Sequence, residues 1–373
     1  MQRPLAWALA ALIMLGLVFA FDFLSFSTQG IGHTMSFIDA ARSLLGYHYP
    51  SLAVLLLGTT VVLPGLYLSS LVYLCAGIRR GHRLPGAMVI ARTLRPLEPW
   101  MMSDVFIVGV LVSLIKIVSL AQIHIGPSFV AFCIYALLLL RTLTLIDWVS
   151  LWDGIAPQPD INRGIQPGRT GRSQQLMACH ACDTPFPDHS PYRCPRCSKR
   201  HFSAGFDRLQ LTWALLLTAT ILYIPANIYP ILSTRTLGQP DPQTIIGGVV
   251  HLAEAGSWPI ALVIFVASIV VPISKILALA WLCRVARNDG PPSGRSEGRR
   301  QMRLYRITEK IGRWSMIDVF VVAVLGALVQ AGALMSIHPG PAALSFAAVV
   351  IVTMVAALTF DTRRLWRNPA DAD

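Results

Sequence analysis

Four cysteines stand as Cys179-x-x-Cys182 and Cys194-x-x-Cys197, with eleven residues between the pairs. Each Cys-x-x-Cys turn aims two thiolates at one point, and two such knuckles complete a tetrahedral four-sulfur site. Zinc is the expected ion; iron in a rubredoxin-like site is the alternative, because ligand type alone does not separate them. A closed site of this kind holds a fold together and leaves no open position for chemistry. The second chemistry-bearing group is Lys275, inside a long apolar run. Arg284, at the end of that run, is nine residues further on, roughly 13 Å of helix rise. An ammonium at such depth costs several kcal/mol unless partnered and marks a functional site by default; the bland reading is a side chain snorkelling to the interface.

The neighbours of Lys275 sharpen the first reading. Pro272, three residues earlier, cannot donate to the carbonyl of Ser268, so an acceptor, a hydroxyl and a kink are expected together. Ser315 and Thr353 lie in other apolar runs and are candidates for the same polar network, although isolated hydroxyls in helices commonly bond back to their own backbone. Asp318, in the first turn of an expected helix, is a candidate partner for the ammonium, and the helix dipole alone also favours a carboxylate there. Asp104 is its counterpart earlier in the chain. Pro225 and Asn227, in Tyr223-Ile224-Pro225-Ala226-Asn227, mark an expected helix break. The site is therefore expected to carry protons or hold a lipid headgroup. No nucleophile–base pair, phosphate loop or paired catalytic carboxylates stand out, so the chain reads as a transporter-like protein rather than an enzyme.

The elements that must position these groups are membrane helices. The chain has 373 residues, of which 54% are hydrophobic and only 13% charged, against about 25% charged in a soluble domain. Apolar stretches at about 5–24, 51–78, 100–122, 128–150, 211–233, 258–283, 315–335 and 341–360 are each long enough to span. The first has no small-x-small cleavage site and reads as an uncleaved anchor. Of the 31 Lys and Arg, all but Arg42, Arg235, Lys116, Arg141 and Lys275 fall in the N-terminal flank, 79–95, 163–208, 284–313 and the C-terminal tail. This asymmetry places both termini and the long basic loops in the cytoplasm. It also accounts for the net charge of +12 with no nucleic acid partner. In that reducing compartment the four thiols stay free for metal.

The chain also repeats itself. Trp100, Met102, Asp104, Val105 and Phe106 recur as Trp314, Met316, Asp318, Val319 and Phe320, a constant offset of 214. The same offset pairs His124-Ile125-Gly126-Pro127 with His338-Pro339-Gly340-Pro341; Pro64 and Cys75 pair with Pro272 and Cys283 at an offset of 208. Tyr67 stands where Lys275 would be, so the polar site is expected in the second half alone. The expected fold is an all-α integral membrane protein, a tandem repeat of two four-helix transmembrane modules, eight spans in all, with a small cytoplasmic zinc ribbon between them. The expected divisions are 1–152 for the first module, 153–178 for a linker, 179–207 for the ribbon and 208–373 for the second module.

These motifs, together with Gly256-Ser257-Trp258-Pro259, Pro272-Ile273-Ser274-Lys275 and Ile311-Gly312-Arg313-Trp314-Ser315-Met316-Ile317-Asp318, resemble the paraquat-inducible protein A family, closely over 179–367 and more loosely over 1–152. The resemblance implies a multi-pass protein of a bacterial inner membrane that moves membrane lipids between the inner and outer membranes beside a periplasmic MCE-type tunnel protein, maintaining envelope integrity. It also implies a proton-linked network around Lys275. The family usually carries a ribbon before each half, and here only one is present, so a single metal site is expected. The alternative function is a metal- or redox-responsive membrane sensor with the ribbon as its receiver.

Overall fold

The computed structural model describes residues 2–28, 31–46, 50–81, 84–118, 122–159, 166, 174, 176–187, 193–200, 208–236, 239–254, 256–287, 294–328 and 335–362. Most of the expected linker 153–178, and 201–207 at the end of the expected ribbon, lie outside the described residues. Helix α1 (Gln2–Leu17) is followed by strands β1 (Leu24–Thr28) and β2 (Ile31–Met35), α2 (Phe37–Gly46), α3 (Pro50–Leu57), a π-helical turn (Gly58–Val62) and α4 (Leu63–Arg79). Then come α5 (Ala87–Leu97), a 3-10 turn (Glu98–Trp100), α6 (Ser103–Val118), β3 (Gln122–Ile125), α7 (Pro127–Leu145) and α8 (Trp148–Ile155). The ribbon supplies β4 (Leu176–Ala178) and β5 (Pro185–Pro187). Beyond it run α9 (Arg208–Ile228), β6 (Leu232–Thr236), β7 (Gln239–Gln243), α10 (Ile245–Glu254), α11 (Trp258–Phe265), a second π-helical turn (Val266–Val270) and α12 (Val271–Arg287). The last elements are α13 (Gly294–Gly312), a 3-10 turn (Arg313–Met316), α14 (Ile317–Leu328), β8 (Met335–Pro339) and α15 (Pro341–Thr359).

The fold is mostly helical, and the all-α expectation needs correction. Two three-stranded antiparallel sheets, ordered β2-β1-β3 and β7-β6-β8, stand beside the two-stranded ribbon. In each larger sheet a five-residue hairpin takes its third strand from about a hundred residues further along the chain. That pairing is set by which segments meet, and no local pattern encodes it. Gly126 and Gly340 show why a glycine follows each third strand. A Cβ at Gly126 would lie 2.1 Å from the Asp22 carbonyl oxygen, and one at Gly340 2.1 Å from that of Pro230. Backbone is packed on backbone there, and the chain cannot give way. Gly126→Ala or Gly340→Ala is expected to lower stability by about 2–4 kcal/mol, read as a fall in the melting temperature of detergent-solubilised protein.

Six helical segments are long and apolar enough to cross a membrane among the described residues: Pro50–Arg79, Ala87–Ile115, Pro127–Leu145, Arg208–Ile228, Ala261–Arg287 and Pro341–Thr359. Helix α1 has 16 residues and α14 has 12, both shorter than a full span. The segment expected at 100–122 begins at Ala87. Arg92, Arg95 and Pro96 break its hydropathy, yet α5 runs through them into the 3-10 turn at Glu98–Trp100; Met101 is then extended, and α6 starts anew at Ser103. The segment expected at 315–335 likewise follows α13 through Arg313–Met316. Each π-helical turn ends two residues before a proline, Pro64 or Pro272. The missing N–H and the ring disturb the ordinary ladder, and an inserted residue is one way a helix absorbs that.

The chain divides into two compact units. One comprises Met1–Ala20, Thr59–Met101 and Val130–Phe206; the other comprises Phe21–Gly58, Met102–Phe129 and Asp207–Asp373. In the first unit α1 packs on α4, and α8 packs on α4 and α5. In the second, α15 lies along α9 and α12 over Leu209, Leu216, Leu279, Leu282, Ala356, Ala357 and Phe360. The buried face of α15 also carries Ala342, Ala343 and Ala347. Lipid is as apolar as leucine, so small residues that let helix backbones approach supply the attraction that hydrophobicity alone does not.

Candidate functional site

In the second unit the π-helical turn Val266–Val270 packs against the 3-10 turn Arg313–Met316, and α12 and α15 pack against that same 3-10 turn. The sequence-selected residues ride on these elements: Ser268 in the π-helical turn, Lys275 one turn beyond Pro272 on α12, Ser315 in the 3-10 turn, Asp318 opening α14 and Thr353 on α15. All five are buried; Lys275 retains 4% exposure. Its ammonium nitrogen is inaccessible and makes no hydrogen bond to a described residue, and the Ser315 hydroxyl is in the same position. The ammonium therefore does not snorkel.

Two hydroxyls sit differently from the expected network. Ser268 Oγ donates to the Ile264 carbonyl at 2.6 Å, and Thr353 Oγ1 to that of Val350 at 2.9 Å. Both have spent their proton on their own helix and keep only acceptor capacity. Asp104 opens α6 and lies 3.7 Å from the Arg313 guanidinium. Pro225 and Asn227 lie in the last turns of α9, where the Asn227 amide donates to the Tyr223 carbonyl at 2.9 Å. Asp318 lines a small open cleft of about 40 Å³, otherwise walled mainly by Leu232, Ile245, Ile264, Val321 and Val322, with Gln243 and Thr244 as its other polar side chains.

Sequence reasoning missed two residues. Gly312, the last residue of α13, lies directly against the ammonium: a Cβ there would be 2.6 Å from Lys275 Nζ. The carboxylate whose charge Lys275 feels is Glu309, one turn earlier on α13. Burial pushes the Glu309 carboxyl above its usual range, against the pull of Arg313, Arg306 and Lys275. The repeat carried the signal for Gly312. Its counterpart at the offset of 214 is Glu98, and in the first unit the Tyr67 hydroxyl donates to Glu98 Oε1 at 3.0 Å. Tyr with Glu in one half thus stands where Lys with Gly stands in the other. The first half differs again at its proline: Tyr135 donates to the carbonyl of Thr60, four residues before Pro64, at 3.3 Å, whereas position 349 at the same offset is valine. Gly312→Ala displaces the ammonium without changing any charge. It is expected to reduce whatever activity Lys275 supports about tenfold while the melting temperature moves by only about 2–4 °C.

The second site is in the first unit. The four cysteine sulfurs lie within 4.8 Å of one another, with Cys179–Cys197 and Cys182–Cys194 at 3.5 Å. Sulfurs bound tetrahedrally at ~2.3 Å from a zinc stand roughly 3.8 Å apart, so the donor set fits such an ion. The knuckles are alike. Asp183 N–H donates to the Cys179 carbonyl at 2.9 Å and Ser198 N–H to that of Cys194 at 2.8 Å, and Asp183 and Ser198 both have φ of 54°. Cys182 Sγ also donates to the Thr184 hydroxyl at 3.2 Å.

Each knuckle also grips the rest of the unit through a residue that is not a ligand. Trp152 Nε1 on α8 donates to the Ala181 carbonyl at 3.0 Å. The buried Arg196 guanidinium donates to the Ala156 carbonyl at 2.9 Å and pairs with Asp153. Arg95, on α5, pairs with Asp183 at 2.6 Å. Removing Arg196 leaves the Ala156 carbonyl without its donor, a loss of about 1–3 kcal/mol; Arg196→Ala is expected to free the ribbon to proteolysis while it keeps its metal.

Helices long and apolar enough to span, a buried lysine and a buried four-cysteine cluster together define a polytopic α-helical membrane protein with a buried polar site. The model of the paraquat-inducible protein A family matches residues 1–156 and 209–369, and the chain belongs to that family. It is 41% identical to the intermembrane transport protein PqiA of Escherichia coli K12 over 372 residues, which is all of this chain and 88% of the relative. It is 32% identical to the lipophilic envelope-spanning tunnel protein A of the same organism, over 81% of this chain and 67% of the relative. A probable intermembrane transport protein of Haemophilus influenzae is 31% identical over 73% of this chain and 64% of the relative. No solved structure matches the chain.

Proposed function

We propose that the protein is an inner-membrane component of a bacterial lipid-transport system, working with a periplasmic MCE-type tunnel protein and coupled to proton movement through Lys275. The observation that carries this reading is the inaccessible Lys275 ammonium, without a hydrogen-bond partner among the described residues, on the helix that follows the π-helical turn packed against the 3-10 turn Arg313–Met316. Such a charge is costly and persists where gain or loss of a proton is useful. Gly312 lies against it, Glu309 offers charge, and Ser315, Ser268 and Thr353 are buried hydroxyls on the elements packed with α12. The names of the relatives point the same way.

The chain is further read as two four-helix modules with both termini cytoplasmic, α1 and α14 completing eight spans. Support comes from offsets: the π-helical turns are 208 residues apart, while α6 and α14, and α7 and α15, begin 214 apart. The ribbon is read as a structural zinc site. Reconstitution in vesicles with the tunnel protein tests the function. Transfer of labelled phospholipid that collapses with a protonophore is the expected result. Transfer indifferent to the proton gradient overturns the coupling, and no transfer with the partner present overturns the transport reading. The sensor reading draws on the grip of the knuckles on α5 and α8, and predicts a metal-dependent signal with lipid transfer unaltered by metal.

A further inference from the structure

Helix α13 carries Arg295, Arg299, Arg300, Arg303, Arg306 and Lys310 against two carboxylates, Glu297 and Glu309. Its inner face is fixed. Leu304 and Tyr305 pack on the α9–α12–α15 core, Tyr305 OH donates to the Ala357 carbonyl at 2.9 Å, and Gln301 and Thr308 are buried. Arg299, Arg303, Arg306 and Lys310, spaced four, three and four apart, therefore form one ladder on the opposite face, and all four are exposed. None of them is in an ion pair among the described residues. Beside the lower rungs, Ile307, Ile311 and Trp314 are exposed at 46%, 43% and 48%.

Charge run alone would be an ordinary topology determinant. The order of residues says more. Arg295, Arg299, Arg300, Arg303 and Arg306 precede the exposed isoleucines and tryptophan, among which only Lys310 and Arg313 are cationic, and the apolar residues continue to where the helix leads into α14. The face thus matches a molecule with a phosphate at one end and hydrocarbon at the other. The equivalent face of α5 does not repeat it: its two arginines are Arg92 and Arg95, and Arg95 is paired with Asp183. We propose that the outward face of α13 is a binding site for an anionic phospholipid of the leaflet on the α13 side, with Arg299, Arg303 and Arg306 around the phosphate and Ile307, Ile311 and Trp314 along the chains. The site stands on α13 alone and does not depend on the role of Lys275.

The test is native mass spectrometry of the full-length protein in detergent, titrated with phosphatidylglycerol and, separately, phosphatidylcholine. Phosphatidylglycerol is expected to bind at least tenfold more tightly. Each of Arg299→Gln, Arg303→Gln and Arg306→Gln is expected to lower that affinity about fivefold, as an interfacial cation contributes, and high salt should weaken it further. Ile307→Ser with Ile311→Ser should weaken both lipids. Circular dichroism checks that these surface variants are folded, and Arg92→Gln serves as the control. Equal affinity for the two lipids, or glutamine variants that bind phosphatidylglycerol unchanged, overturns the proposal. So does full competition by inorganic phosphate or glycerol 3-phosphate, which would make the face a site for free anions.

Discussion

Lys275→Ala is expected to reduce lipid transfer by at least tenfold and to remove what remains of its dependence on the proton gradient. The same substitution should not unfold the protein. A buried ammonium with no hydrogen-bond partner is a cost to the fold, and replacing it with an apolar side chain of similar length is neutral or stabilising. Lys275→Met is therefore expected to melt at the same temperature as the parent or above it while being as inactive as Lys275→Ala. A structural lysine predicts the reverse, a fall in stability that tracks the fall in activity. Lys275→Arg keeps a charge that does not deprotonate near neutral pH, so it too should be inactive in gradient-driven transfer. Gradient-driven transfer retained by Lys275→Met would end the assignment. Glu309→Gln provides a second probe, since it removes the nearby charge from α13 and leaves the ammonium, the break and the hydroxyls in place.

Removing the metal from the ribbon should have the other large effect. Zinc binding to four thiolates supplies roughly 10–16 kcal/mol of folding free energy. The short strands Leu176–Ala178 and Pro185–Pro187 have little core of their own beyond Phe186, so the ribbon is expected to unfold in a strong chelator and in Cys182→Ser or Cys194→Ser. Trp152 is a built-in reporter. Its ring is buried and its N–H bonds the Ala181 carbonyl inside the first knuckle. Loss of metal should shift tryptophan emission to the red and open the ribbon to protease, and re-addition of zinc should reverse both. Unchanged emission and protease resistance after metal removal would show that the four sulfurs fold the ribbon unaided. A change in gradient-driven transfer on chelation, with the melting of the membrane helices unaltered, would connect the grip on α5 and α8 to function.

Residue types and spacing alone determined the membrane class, the two cysteine knuckles, the recurrence of Trp100–Phe106 as Trp314–Phe320, and the choice of Lys275 beside Pro272. Each is legible because it is local: an apolar run is its own evidence, a Cys-x-x-Cys turn needs only four residues, and a cation stands out against hydrocarbon. Tertiary structure decided the rest. It turned Ser268 and Thr353 back onto their own helices and left Ser315 without a partner. It brought Gly312 and Glu309 to the ammonium, thirty-odd residues away in sequence. It paired Leu24–Thr28 with Gln122–Ile125, and Leu232–Thr236 with Met335–Pro339. It also carried α5 through Arg92, Arg95 and Pro96 and set an extended Met101 between that helix and α6. In each case what matters is which helix faces which across a packed interface, and that is set by the fit of many small contacts that no window of sequence contains.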